Sequence, residues 1–294
     1  MLELTDIALT SGRKTWLDDV SFTAASRRIT GVVGPRGAGK TELVRVIMGL
    51  IAPDSGTVAL EGEELGFGDR QNFGYLPAER GGYPGMKVLE QIVFFARLHG
   101  MTMGAAERNA VTLLARLDLS DRAYAPLDHL TGTEAALVDI AAVLAADPDV
   151  VVLDEPFEGL DAAGVQKVFA LLRDHADSGV PVLFTSDDWD LTQQVADDVV
   201  VLSHGAVFAA GPLTELRAED AGYRAAYADA TAATAAGEAI SAAAGASGVV
   251  VEGTEVTFGA DSEDAAAAAV RGTEGLRGFG AVAPGLAELF KERV

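Results

Sequence analysis

The chain has 294 residues, 49% of them hydrophobic, enough to bury a sizeable core in one large domain plus a small one or in two modest domains. Its lack of cysteine excludes a disulfide scaffold and any thiol or Cys-ligated metal chemistry. With 44 acidic against 22 basic residues and a formal net charge of -22, its surface repels phosphate backbones, which excludes a nonspecific nucleic-acid binder.

The N-terminus, MLELTDIALT, has no basic segment followed by an apolar stretch, and no apolar run approaches the ~18–20 residues of a membrane span. The expectation is a soluble, intracellular chain. An Asp- and Glu-rich, Lys-poor, Ala-rich composition points to a salt-adapted proteome; an ordinary acidic protein from a GC-rich genome is the alternative.

From residue 2 to about 211, strand-like apolar runs alternate with helical patterns, the signature of an α/β core. Residues 28–33 (RITGVV) read as a short strand. Residues 40–50 (KTELVRVIMGL) carry Leu43, Ile47 and Leu50 at helical spacing and stop near Gly49 and Pro53. Residues 84–146 read as a mainly helical insertion. VVVLDEP (150–156) is apolar on both faces until it meets its carboxylates, the pattern of a buried strand. VPVLFTS (180–186) and DDVVVLSHGAVFAAG (197–211) supply further strands, with His204 in a surface turn.

After Pro212 the texture changes. Residues 213–247 are Ala-rich and low in complexity, and read as helix and linker. Residues 248–294 read as a small α+β module. It has a hairpin about Gly253, a helix capped by Ser262 and ended by Gly272, and a last strand and helix. Nothing in this module suggests chemistry.

Two motifs do carry chemistry. GPRGAGKT, comprising Gly34, Pro35, Arg36, Gly37, Ala38, Gly39, Lys40 and Thr41, matches G-x-x-x-x-G-K-[ST] between a strand and a helix. Its glycines let backbone N–H groups curl toward phosphates at a helix N-terminus, with Lys40 reaching the β- and γ-phosphates and Thr41 able to coordinate Mg²⁺. At the end of VVVLDEP, Asp154 can hold Mg²⁺ directly or through water, and Glu155 is placed to polarise an attacking water as general base.

With these motifs, LDDVSF, GLIAPDSGTVALEGEEL, GYLPAERGGYPGMKVLEQIVFFARLHG, AADPDVVVLDEPFEGLD and VVVLSHGAVFAAG make residues 2–212 resemble the nucleotide-binding subunit of an ATP-binding cassette (ABC) transporter. GYLPAERG and the terminal LAELFKERV further resemble the sodium- and drug-export branch, whose partners are ABC-2-type permeases. The resemblance implies a P-loop NTPase fold of the ABC type over residues 1–212, with ATP and Mg²⁺ bound. It implies a subunit peripheral on the inner face of the cell membrane. It further implies a homodimer or heterodimer in which each nucleotide is sandwiched between one phosphate loop and the partner's signature, usually LSGGQ.

The sequence departs from that pattern in several places. The signature slot holds LTGTE, with Thr131, Gly132, Thr133 and Glu134: Thr133 adds a Cβ where close backbone approach is needed, and Glu134 puts a carboxylate near the partner's phosphates. At ~4 Å and an effective dielectric near 20, such like charges repel by roughly 4 kcal/mol before screening. T-x-x-E is equally a capping box, Thr131 capping the helix and Glu134 reaching back. In the helix behind it, Leu137, Ile140 and Leu144 form a core stripe and Asp139 is expected at the surface.

Ala78 fills the Q-loop slot, where Glu79 or Arg80 could compensate, and Asp187 fills the slot of the γ-phosphate-sensing histidine. Arg36 could hold phosphate or face solvent. Glu42 stands where a second hydroxyl often touches the α-phosphate. Trp16 reads as a core or edge residue, with adenine stacking as the alternative. In the dimer-crossing D-loop, FEGLD, Asp161 is retained. The implied function is an ATP-driven export subunit with weakened hydrolysis, the alternative being a regulatory ATP-binding subunit beside a complete sister.

Overall fold

In the computed structural model, which describes residues 1–83, 85–218 and 222–294, apolar alternation at the N-terminus builds an antiparallel sheet. Leu2, Leu4, Ile7 and Leu9 of β1 (Leu2–Ser11) and Leu17, Val20, Phe22 and Ala24 of β2 (Lys14–Ala24) turn one face inward. β3 (Ile29–Val33) leads into α1 (Lys40–Ile47), and β4 (Ser55–Leu60) and β5 (Glu63–Glu64) complete the first sheet in the order β2-β1-β4-β5. Leu43, Val44 and Ile47 of α1 join this sheet in a core that also takes Val32, Val150, Val152 and Leu183 from the central sheet.

β6 (Phe73–Leu76), β7 (Val150–Leu153), β8 (Val182–Ser186), β9 (Asp198–Ser203) and β10 (Ala206–Pro212) join β3 in a six-stranded sheet of order β10-β9-β3-β8-β7-β6. All but β10 run parallel. β3, β7 and β8 are buried along their whole length, so both faces are covered, as their continuous apolar runs require. In such sheets ligands gather at the carboxyl ends of the strands. Here β3, β8, β7 and β6 are successive neighbours, so the loops that leave them emerge side by side.

Between β6 and β7 lie α2 (Val88–Leu98), α3 (Met103–Arg116) and α4 (Gly132–Leu144), the expected helical insertion; its expected first residue, Pro84, lies outside the described residues. α4 buries Leu137, Ile140 and Leu144, and also Ala136, Val138, Ala141 and Ala142. α5 (Ala162–Asp177) and α6 (Trp189–Val195) follow β7 and β8.

The chain divides into two units, Met1–Leu213 and Thr214–Arg293, with α7 (Leu213–Ala218) at their boundary. The second unit contains β11 (Gly222–Tyr227), α8 (Ala230–Ser241), β12 (Ala246–Glu252), β13 (Glu255–Ala260), α9 (Glu263–Val270), β14 (Leu276–Val282) and α10 (Leu286–Phe290). The first six of these make a β-α-β-β-α-β arrangement, with an antiparallel sheet of order β12-β13-β11-β14.

The linker reading of residues 213–247 is therefore corrected. β11 is an interior strand of that sheet, and Ala233, Ala236 and Ile240 of α8 pack on Ala225, Tyr227, Val256 and Phe258. An alanine stripe offers little apolar contrast, so its periodicity was masked in the sequence. The expected hairpin turns at Gly253, whose φ is 59°, and Ser262 caps α9 by accepting from the Ala265 N–H.

Candidate active site

The phosphate loop runs from the end of β3 to the start of α1, and its shape depends on two glycines. A Cβ on Gly34 would lie 2.0 Å from the carbonyl oxygen of Leu202. Gly39 has φ 106°, and a Cβ there would lie 2.5 Å from the carbonyl oxygen of Trp16. The backbone thus lies against two neighbouring segments that leave no space for a side chain. No side chain caps α1, so the first-turn N–H groups of Lys40, Thr41 and Glu42 lack intrahelical partners and face the loop with the positive end of the helix dipole.

Lys40 is buried, which for a lone ammonium demands partners. Its Nζ donates to the Gly34 carbonyl at 2.7 Å and the Pro35 carbonyl at 3.3 Å, and lies 4.0 Å from Glu155 Oε1. That contact joins the phosphate loop and the strand-end carboxylates in one site. Arg36 projects outward on the loop, and its Nε donates to Asp187 Oδ2 at 2.8 Å. Its charge is directed at Asp187 rather than at solvent alone.

At the end of β7, Asp154 is almost fully buried. Its Oδ1 accepts from Thr185 Oγ1 at 2.5 Å, and Thr185 Oγ1 accepts from the Glu155 N–H at 3.0 Å. Among the described residues the buried Asp154 Oδ2 has no hydrogen-bond partner. A buried anionic oxygen left in that state suits a cation or its hydration water. No group of three or more His, Asp or Glu among the described residues is arranged to hold a metal, so a cation here would rest on Thr41, Asp154 and substrate oxygens.

Glu155 sits at φ 50°, a left-handed conformation that costs a residue with a Cβ roughly 1–3 kcal/mol unless its surroundings enforce it. Its N–H is held by Thr185, and its carbonyl accepts from Arg80 Nη2 at 2.5 Å. Its carboxyl is pushed up to about 8, by burial first and then by a hydrogen bond and charge from Asp187, with Lys40 opposing. Asp187 is held below the usual carboxylate range, chiefly by the hydrogen bond from Glu155 and then by Arg36, against partial burial. The charge of Asp187 thus disfavours ionisation of Glu155, and Arg36 lies against Asp187.

The residues of the signature slot turn toward their own chain. Thr131 Oγ1 accepts from the Glu134 N–H at 3.2 Å and Glu134 Oε2 accepts from the Thr131 N–H at 2.9 Å, a reciprocal capping box. Arg122 Nε donates to Glu134 Oε1 at 2.8 Å. The Glu134 carboxyl is lowered, first by the Thr131 N–H and further by Arg122. The capping-box reading of T-x-x-E holds: both oxygens of Glu134 accept hydrogen bonds within the chain, from Thr131 and Arg122. Gly132 retains open space around its Cα, and Thr133 Oγ1 donates to the Gly159 carbonyl at 3.2 Å, tying this helix start to the D-loop. Asp161 caps α5, accepting from the Gly164 N–H at 2.7 Å.

The structure thus brings residues 34–42, Asp154 and Glu155 together and leaves residues 131–134 bonded to one another, to Arg122 and to Gly159. Two contacts escape motif reading: Thr185 carries no signal beyond its place at a strand end, and Arg122 lies outside every motif. Of the two residues offered as compensating for Ala78, Arg80 is the one that reaches Glu155. Asp139 corrects another expectation: it is half-buried, beside Arg80, in a cavity of about 190 Å³ lined also by Tyr75, Leu76, Phe95 and Val143. Burial raises its carboxyl, with Arg80 opposing. Trp16 is half-buried against the core, with Lys14 Nζ 3.2 Å from its ring centroid, and His204 is exposed in the β9–β10 turn at φ 49°.

A family model described as "ABC transporter" matches residues 17–158. YhaQ of Bacillus subtilis (strain 168), an uncharacterized ABC transporter ATP-binding protein, is 32% identical over 218 residues, which is 74% of this chain and 73% of YhaQ. The daunorubicin resistance ATP-binding protein DrrA3 of Streptomyces coeruleorubidus is 34% identical over 216 residues, 72% of this chain and 68% of DrrA3. Among solved structures, an ATP-binding subunit of an ABC transporter superposes with a TM-score of 0.69 at 25% identity, covering 74% of this chain and 92% of that one.

Proposed function

The chain belongs to the ATP-binding subunits of ABC transporters, and from that premise we propose that it binds MgATP and drives an ABC-2-type export permease from the inner face of the membrane. Subunits of this family dimerise and work with membrane permeases. No helix among the described residues is long and apolar enough to cross a membrane. The resistance function named for DrrA3 supports the export direction.

One observation carries the reading: Lys40, buried in the phosphate loop, stands 4.0 Å from Glu155, beside an Asp154 oxygen that no described residue satisfies. Thr41 and Asp154 are the residues to hold Mg²⁺, which when bound supplies charge neutralisation at the phosphate oxygens. The N–H groups of residues 37–41 bind and orient the phosphates. Lys40 exchanges its two loop carbonyls for phosphate oxygens at little cost, since both are hydrogen-bond acceptors. Glu155 takes the proton of the attacking water as general base.

The absence of an imidazole at position 187 supports slow turnover. ATPase activity of the full chain in a KCl series, wild type against Glu155→Gln, tests this. A slow rate that Glu155→Gln lowers by about 10²–10⁴-fold is expected. A rate that Glu155→Gln leaves unchanged would contradict it. The internally bonded Glu134 favours a second reading, a regulatory subunit in a heterodimer. In that case turnover appears only with a sister chain whose signature serves the site described here.

A further inference from the structure

Arg80 lies in the Q-loop stretch, two residues after Ala78, and holds the backbone of the catalytic carboxylate. We infer that Arg80 is a positioning residue for Glu155, fixing the strained peptide that aims the carboxyl and linking it to the signature helix. The inference rests on the reading of Glu155 as general base.

Four observations converge on this role. Glu155 has φ 50°, a conformation that persists only where its neighbours enforce it. Its backbone is held at both ends: Thr185 Oγ1 takes the N–H and Arg80 Nη2 donates to the carbonyl. The Arg80 side chain is half-buried, and burial pulls its pKa down against the charges of Asp139, Glu158 and Glu155. A guanidinium so placed gives up hydration, and its hydrogen bond to Glu155 returns part of that loss. Finally, Arg80 and Asp139 line one cavity, and Asp139 belongs to α4, whose first residues are the signature. One side chain therefore touches the peptide of Glu155 and faces the helix that serves the opposite nucleotide. Ala78, in the slot that usually makes such a link, has no polar atom beyond its backbone.

Losing the Arg80 hydrogen bond frees the Glu155 peptide to relax toward an ordinary φ and turns the carboxyl away from the water it must reach. Lys40 loses its 4.0 Å approach to Glu155 in that movement but keeps its bonds to the loop carbonyls of Gly34 and Pro35, so the phosphate cradle stays in place. The inference therefore separates kcat from KM. For the full-length chain, Arg80→Ala is expected to lower kcat by about 10- to 100-fold with KM and MgATP affinity unchanged. Arg80→Lys, which keeps the charge and can still donate, is expected to recover part of that loss. Thermal unfolding of both variants checks that they fold, and Arg80→Lys alone remains decisive should Arg80→Ala fail to do so: its kcat must fall while KM holds.

An unchanged kcat in the variants, or a loss carried by KM, would overturn the inference. So would wild-type ATP binding without any Glu155-dependent turnover, an outcome that leaves ATP binding itself intact. Absence of ATP binding would instead overturn the proposed function.

Discussion

The phosphate loop and the signature slot are both helix starts, and they are built in opposite ways. α1 begins without a side-chain cap, after glycines packed against the backbones of residues 16 and 202, so its first N–H groups remain available to an incoming anion. α4 begins with a closed capping box, Thr131 and Glu134 satisfying each other and Arg122 neutralising the carboxylate. A helix N-terminus serves a ligand only if the chain does not satisfy it first. The first end is kept open at the cost of glycine entropy and local strain. The second has been turned to stability.

Breaking the first region should cost most. Gly39→Ala places a Cβ at φ 106° and against the Trp16 carbonyl, and is expected to destabilise the protein by roughly 2–3 kcal/mol and to abolish MgATP binding. Thermal unfolding and a binding isotherm read the two effects. Next comes Asp187→His, which removes a carboxylate whose charge raises Glu155 and supplies a donor toward phosphate. Its kcat should rise about tenfold, and a fall would show that Asp187 assists Glu155 as it stands.

Opening the second region has a smaller effect. Thr131→Ala deletes the cap of α4 and should lower stability by about 1 kcal/mol without changing MgATP affinity, because the side-chain hydrogen bonds of the slot run within it, to Arg122 and to Gly159. The smallest effect belongs to Asp139→Asn. Its carboxyl is raised by burial, so its contribution to stability is present at low pH and is lost as pH rises through its folded-state value. The Asn variant should therefore unfold no more than about 2 °C above wild type at pH 8, with no difference at a pH below the ordinary carboxylate range.

The same contrast explains how much could be read from the sequence. The phosphate loop is contiguous, its chemistry lies in eight successive residues, and the residues around it take the expected strand and helix. Asp154 and Glu155 were legible because a buried strand cannot carry carboxylates anywhere but its end. Thr185, Arg80 and Arg122 lie 30, 75 and 12 residues from their partners, and only the order β8-β7-β6 and the packing of α4 bring them in. The capping box was legible locally, since T-x-x-E acts within one turn, whereas the Arg122 that neutralises it was not. The helix expected in residues 213–247 is α8, but β11 was hidden for a different reason: its alanines mark the buried and exposed sides alike, so pairing rather than pattern defines the strand.

The account rests on a phosphate loop held open for a nucleotide, and an equilibrium titration of the full chain with MgATP, wild type against Lys40→Ala, tests it directly. One saturable, Mg²⁺-dependent site per chain is expected, weakened roughly 10- to 100-fold by the substitution. Absence of saturable binding, or binding that Lys40→Ala leaves unchanged, would contradict the account.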